Sequence, residues 1–160
     1  MNGKPSPEEV YIGLRNQALF IKSAQLNPTG SASDPIGIVM DLGFAGGTAT
    51  LVAFCTGDAS VYFCRGGGVL GGIGHEAVRT AAKAFVGASA QHLPLMSVTS
   101  SFPLPTENNT TFYVVTGNGV YHKECDTAAL ESKSDPFSAM YFYGQKTITE
   151  LRQISERRPQ

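Results

Sequence analysis

The chain predicts an α+β domain, a mainly antiparallel sheet of five or six strands flanked by three helices. Three observations carry that expectation. The period of apolar positions changes from helical to alternating at Ile36. The signals Gly57-Asp58 and Gly117-Asn118-Gly119 join neighbouring extended runs locally, which makes those strands antiparallel. Helical segments near the start, middle and end are amphipathic and must cover a sheet. The order is helix, three strands, helix, two or three strands, helix.

Ser6-Pro7-Glu8-Glu9 opens the first helix, with Ser6 as cap, Pro7 at the first helical position and Glu9 closing a capping box. Val10, Leu14, Ala18 and Ile21 recur on one face, which predicts a helix over 7–25 buried along that stripe. Breakers follow over 27–35, a linker-like loop. Sheet and helices then fill 36–156, so a single domain accounts for 1–160.

From Ile36, residues 36, 38, 40 and 42 alternate with 37, 39, 41 and 43 as a first strand. Phe44-Ala45-Gly46-Gly47 turns the chain into a second strand over Thr48–Thr56, and Ala59–Arg65 returns as the third. With Thr56 opposite Ala59, one face holds Val52, Phe54, Val61 and Phe63. The other holds Leu51, Ala53, Cys55, Tyr62 and Cys64. Both are apolar, so this hairpin is expected to be covered on both sides.

The run Gly66–Gly74, six of whose nine residues are glycine, reads as a loop leading to a helix that ends near Ala90. Val78, Ala81, Ala82 and Phe85 form that helix's apolar side. Pro94, Pro103 and Pro105 break the next stretch, leaving Met96–Phe102 as an edge strand. Thr111–Thr116 and Val120–Cys125 flank the second hairpin turn. Ser134-Asp135-Pro136 reads as the last helix start, although Ala139–Tyr143 suits a helix or an extended segment.

Composition narrows the function. Charged residues make up 16% of the chain, well below the usual quarter, which leaves apolar surface bare and points to a homo-oligomer or a protein partner. A net charge of −1 offers no attraction for nucleic acid or anionic lipid. No run is long and apolar enough for a membrane span, and no secretory signal precedes the first helix. The expected location is cytoplasmic, with Cys55, Cys64 and Cys125 as buried free thiols.

Gly66-Gly67-Gly68-Val69-Leu70-Gly71 matches G-x-G-x-x-G between a strand and a helix, where free N–H groups and a helix dipole suit a small anion. The dinucleotide reading fails, because Phe85–His92 contains no acid and the preceding strand belongs to a hairpin. The candidate ligand residues are therefore Gly66, Gly67, Gly68, Gly71, Gly72, Gly74 and His75, with Asp41 from the first strand. The competing reading gives the glycines a purely structural role, close backbone approach in a tight crossing. His122 and Cys125 point to opposite faces of a strand, so no metal site forms there. No catalytic set and no cofactor emerge, since Asp41 and Glu124 lack mates for acid–base work.

Three resemblances accompany these residues. The element order is similar to roadblock, longin and profilin-like architectures, which implies a fold and no activity. Asp41-Leu42-Gly43-Phe44-Ala45-Gly46-Gly47-Thr48 with Val69-Leu70-Gly71-Gly72 resembles the phosphate-binding segment of actin/Hsp70-type ATPases. That resemblance implies a phosphate cradled by the turn and Asp41 working near a metal. Phe44-Ala45 interrupts its pattern, and no first phosphate motif precedes Ile36. The block Leu51–Arg79, especially Tyr62–Gly72 with His75–Arg79, resembles uncharacterised bacterial proteins of similar length, a likeness that brings no activity. The leading expectation is a non-enzymatic protein acting through self-association or partner binding. The alternative is a small-ligand or phosphate-binding protein using Gly66–Gly74.

Overall fold

The computed structural model describes residues 3–26, 30–71 and 74–157. Its helices are α1 (Pro7–Leu19), α2 (Ser23–Leu26), α3 (Glu76–Ser89), α4 (Thr127–Glu131) and α5 (Ser138–Arg157). Its strands are β1 (Pro35–Phe44), β2 (Gly47–Phe54), β3 (Ala59–Phe63), β4 (Gly68–Gly71), β5 (Ser97–Thr99), β6 (Asn109–Thr116) and β7 (Gly119–Asp126). All pair antiparallel in one sheet of order β4-β3-β2-β1-β6-β7-β5. The α+β class and the antiparallel sheet match expectation. The strands exceed the expected number through β4, and the helices through the short α2 and α4.

β1 is the central strand because it can be buried on both faces. Ile38 and Met40 join Leu51, Ala53, Val61, Phe112 and Val114 beneath α3 and α5. Val39 joins Val52 and Tyr113 beneath Ala18 and Leu19 of α1. The two-sided cover expected for the β2–β3 hairpin is therefore present, with a different register. The turn is Cys55–Asp58, closed by Phe54 N–H to the Asp58 carbonyl and Gly57 N–H to the Phe54 carbonyl, both 2.9 Å. Ala53 consequently lies opposite Ala59 and Leu51 opposite Val61. Relative to the two-residue turn, the slip is odd, so Val61 and Phe63 share a face with Leu51 and Ala53 instead of Val52 and Phe54.

The first helix differs in both length and face. It ends at Leu19, where the Phe20 N–H bonds back to the Ala18 and Asn16 carbonyls, and α2 is separate from it. The expected capping box is formed by Ser6 and Glu9. The buried face is Tyr11, Arg15, Ala18 and Leu19, whereas Val10 is exposed. Residues 27–29 of the expected linker lie outside the described residues. At the other end, the Asp135 carboxylate accepts from the Phe137 N–H at 2.8 Å, but helical structure starts at Ser138 and runs through 139–143. Met96–Phe102 forms an edge strand only over Ser97–Thr99. Of the three thiols, Cys125 is buried while Cys55 and Cys64 are half-buried.

The glycine run is not one loop. Gly66 and Gly67 make the turn with φ of 113° and 82°, a backbone region that side chains avoid. Gly68–Gly71 then continues as β4, paired with β3. At Gly71 a Cβ would lie 2.6 Å from the Ala59 carbonyl oxygen and closer still to Leu151 on α5. That clash is with backbone and cannot be relieved by a rotamer change. Gly71→Ala is expected to cost about 1–3 kcal/mol in urea unfolding, whereas Gly74→Ala, with open space around its Cβ, serves as a neutral control. Equal midpoints for the two variants would remove the packing role assigned to Gly71.

Candidate functional site

The densest polar constellation lies between α1 and the sheet, and it begins with a charged residue inside a helix stripe. Tyr11 and Arg15 are one turn apart on α1, so both project toward the same face. Asp41 lies beneath them on β1 with no solvent exposure. Arg15 holds it by a forked contact, Nη2 at 2.7 Å and Nε at 3.1 Å from Oδ2. The Thr50 hydroxyl donates to Asp41 Oδ1 at 2.6 Å, and the Tyr11 hydroxyl bonds to Thr50 Oγ1 at 2.5 Å.

The outer donors of Arg15 reach the stretch after β5. Its Nη1 donates to the Phe102 carbonyl at 3.0 Å. The Tyr113 hydroxyl donates to the Pro103 carbonyl at 2.7 Å, and the guanidinium sits 5.4 Å from the Tyr113 ring centre. No buried side-chain nitrogen or oxygen among the described residues lacks a hydrogen-bond partner. The cluster therefore clamps α1, β1, β2, β6 and the 102–103 segment together, and Asp41 at its centre is shut off from solvent.

The electrostatics follow from burial. Desolvation pushes the Asp41 carboxyl above its ordinary range against the pull of Arg15 and Thr50. Burial likewise pushes the Tyr11 phenol up to about 12, opposed by its bond to Thr50. For a phenol raised in the folded state, the stabilisation is complete below the ordinary tyrosine value of about 10 and is lost as pH rises from there to about 12. An ultraviolet titration of the folded protein is expected to show Tyr11 resisting ionisation until near the upper end of that window. Its loss in Tyr11→Phe is the check.

The residues expected from sequence to form a site are not brought together. Asp41 is on the central strand, facing α1, while β4 lies at the sheet edge with β3 and β2 between them. Gly66 and Gly67 are at one end of β4, and Gly74 lies beyond the other. Gly72 lies outside the described residues. An extended strand sends successive N–H groups in opposite directions, so Gly68–Gly71 does not form a concave cradle. His75 is the N-cap of α3 and makes no side-chain cap bond. A hollow of about 250 Å³ beside Gly74 and His75 is lined by Arg157, but also by Glu76 and Glu150, which oppose an anion.

Arg15, Tyr11 and Thr50 were not singled out by sequence reasoning. The available signal was an arginine at helical spacing between Tyr11 and Leu19 on one side and an aspartate inside an apolar strand on the other. Two unlike charges in segments that must both be buried call for each other.

A different feature stands at the sheet edge. A hollow of about 300 Å³ runs between α1 and β3, lined by Pro5, Pro7, Val10, Leu14, Tyr62 and Phe63. On the opposite face a hollow of about 370 Å³ separates α5 from Leu42, Val61, Phe63 and Val69. Phe63 borders both. Among the described residues no helix is long and apolar enough to cross a membrane, and no group of three His, Cys, Asp or Glu could hold a metal.

Removing one partner of the clamp leaves the other charge buried and unpaired. Asp41→Asn is expected to cost about 3–5 kcal/mol in chemical denaturation, and Arg15→Met with Asp41→Leu together much less than the sum of the single changes. Additive losses would show that the two groups do not act as a pair.

No protein-family model matches the chain, and neither a curated protein nor a solved structure matches it.

Proposed function

We propose that this chain is a non-enzymatic protein that works by association with protein, a second copy of itself first. The observation that carries the reading is a group of bare apolar side chains on α1, at the end of β1 and on β3 and β4. Val10 is 45% exposed, Phe44 47%, Phe63 42% and Leu70 62%. Phe63 and Val10 border one hollow, and Phe63 borders the second on the far face. Apolar side chains grouped at hollows on both sides of one edge mark a contact surface, whereas scattered ones need no explanation. Each buried polar atom of the Arg15–Asp41 cluster has a hydrogen-bond partner, which favours a structural use of its charges over a chemical one.

The alternative is a small anion at the start of α3. It draws support from Arg157 in the hollow beside His75 and is opposed by the two carboxylates there.

Sedimentation velocity across a concentration series tests the first reading. The chain is expected to move as a dimer at micromolar concentration. Phe63→Asp is expected to shift it to monomer with an unchanged far-ultraviolet circular dichroism spectrum, and added inorganic phosphate is expected to leave the His75 resonances in place. A monomer at every concentration would overturn self-association, and a saturable phosphate shift at His75 would favour the alternative.

A further inference from the structure

The apolar surface around Phe63 ends at β4, and β4 is an open edge. Its ladder with β3 pairs Tyr62 with Gly68, Val61 with Val69, Ser60 with Leu70 and Ala59 with Gly71. At the turn, the Phe63 N–H donates to the Gly67 carbonyl at 3.1 Å. Bonded and non-bonded pairs alternate along an antiparallel ladder. Val69 and Gly71 therefore direct their backbone groups to β3. Gly68 and Leu70 direct theirs outward.

Natural sheet edges are blunted by charges, proline, bulges or brevity. The opposite edge, β5, is three residues long and lies between Pro94 and Pro103. β4 reads Gly-Val-Leu-Gly, with no charge and no proline. Its outward-turned Leu70 is the edge's most exposed side chain. Another extended backbone matches outward N–H and C=O groups at this spacing.

We propose that β4 pairs antiparallel with β4 of a second copy, about a two-fold axis at Val69, joining the two sheets edge to edge. The proposal rests on the self-association reading and names the surface that would carry it. The register follows from the sequence of β4. Pairing Gly68 with the partner's Leu70, and Leu70 with the partner's Gly68, satisfies every outward backbone group of these residues in both copies. A slip of two residues leaves half of them unpaired.

Side chains fit the same register. Each Leu70 lies across from a glycine, where no Cβ stands in its way, and beside the partner's Tyr62 on the next strand. Val69 meets its own copy across the axis as a non-bonded pair, with Cα atoms about 4.5 Å apart. Because β4 is uncharged, the copies approach along it without like-charge repulsion. The contact is isologous and closes as a dimer instead of growing into a fibre.

Two variants of the full chain test it. A cysteine pair at a non-bonded antiparallel position is close enough to oxidise, so Val69→Cys with a mild oxidant is expected to give a covalent dimer whose linked peptides both contain residue 69. The wild-type chain, with its three native thiols, gives the background. Leu70→Pro removes an outward N–H and leaves the β3 ladder intact. It is expected to raise the dimer dissociation constant about a hundredfold with the circular dichroism spectrum unchanged. A dimer that neither cross-links at 69 nor weakens in Leu70→Pro would overturn the edge pairing and leave self-association standing. A wild-type chain that is monomeric throughout would overturn both.

Discussion

The fold is organised by one buried ion pair, Arg15 with Asp41. Neither charge could be inside alone, since an unpaired buried charge costs several kcal/mol. Together they decide how α1 sits. A helix carrying Val10 and Leu14 as well as Tyr11 and Leu19 has two candidate stripes for the core. Burying the Tyr11 stripe brings in an arginine, which is tolerable only because Asp41 and two carbonyls receive its donors, while the Thr50 hydroxyl donates to Asp41. The pair is thus better understood as a device for orientation than as a source of stability, because an apolar replacement of similar volume is often as stable.

From that orientation the asymmetry of the two faces follows. On the far face, α3 and α5 lie close together, as Gly144 on α5 shows: a Cβ there would come within 3.1 Å of Phe85 and nearer still to Met40. On the near face, α1 is the helix in the buried cluster, with Ala18 and Leu19 against Val39, Val52 and Tyr113. Its N-terminal half leaves the hollow next to Tyr62 and Phe63 uncovered. Glycine serves the β4 edge in two ways, permitting the sharp turn at 66–67 and removing the side chain where β4 passes beneath Leu151.

Much of this was legible in the residues. The capping box at Ser6 and Glu9, the alternation from Ile36, the hairpin at 117–118 and the apolar side of α3 are local signals, and each is realised. Non-local choices were not legible. The face of α1 depends on Asp41, 26 residues away, which a count of apolar positions along the helix does not see. The β2–β3 register depends on a turn four residues long, where Gly57-Asp58 suggested two, and an odd slip exchanges the faces. Gly68–Gly71 looked like loop because glycine is a poor strand former. It is a strand because β3 offers it an edge, and packing beneath α5 favours a residue with no side chain. Asp41 and the glycines of β4 are separated for the same reason, one on the central strand and the others at the edge, with β3 and β2 between them.

The same trade explains why apolar surface remains outside. Burying a valine side chain contributes about 1.5–3 kcal/mol, and α1 leaves Val10 exposed while enclosing Arg15. For an isolated chain this is a poor arrangement, since turning the helix would cover Val10 and return the arginine to water. The proposed self-association gives that arrangement a use, because it would complete the surface to which Val10 belongs. Phe63 and Leu70 flank the sheet's open edge on opposite faces, Phe63 in register with Ala49 and Leu70 with Ser60, and Leu70 is 62% exposed. The ion pair then does two things at once: it fixes α1 against the sheet and holds the helix's second apolar stripe outward, which is the surface the proposed self-association would bury.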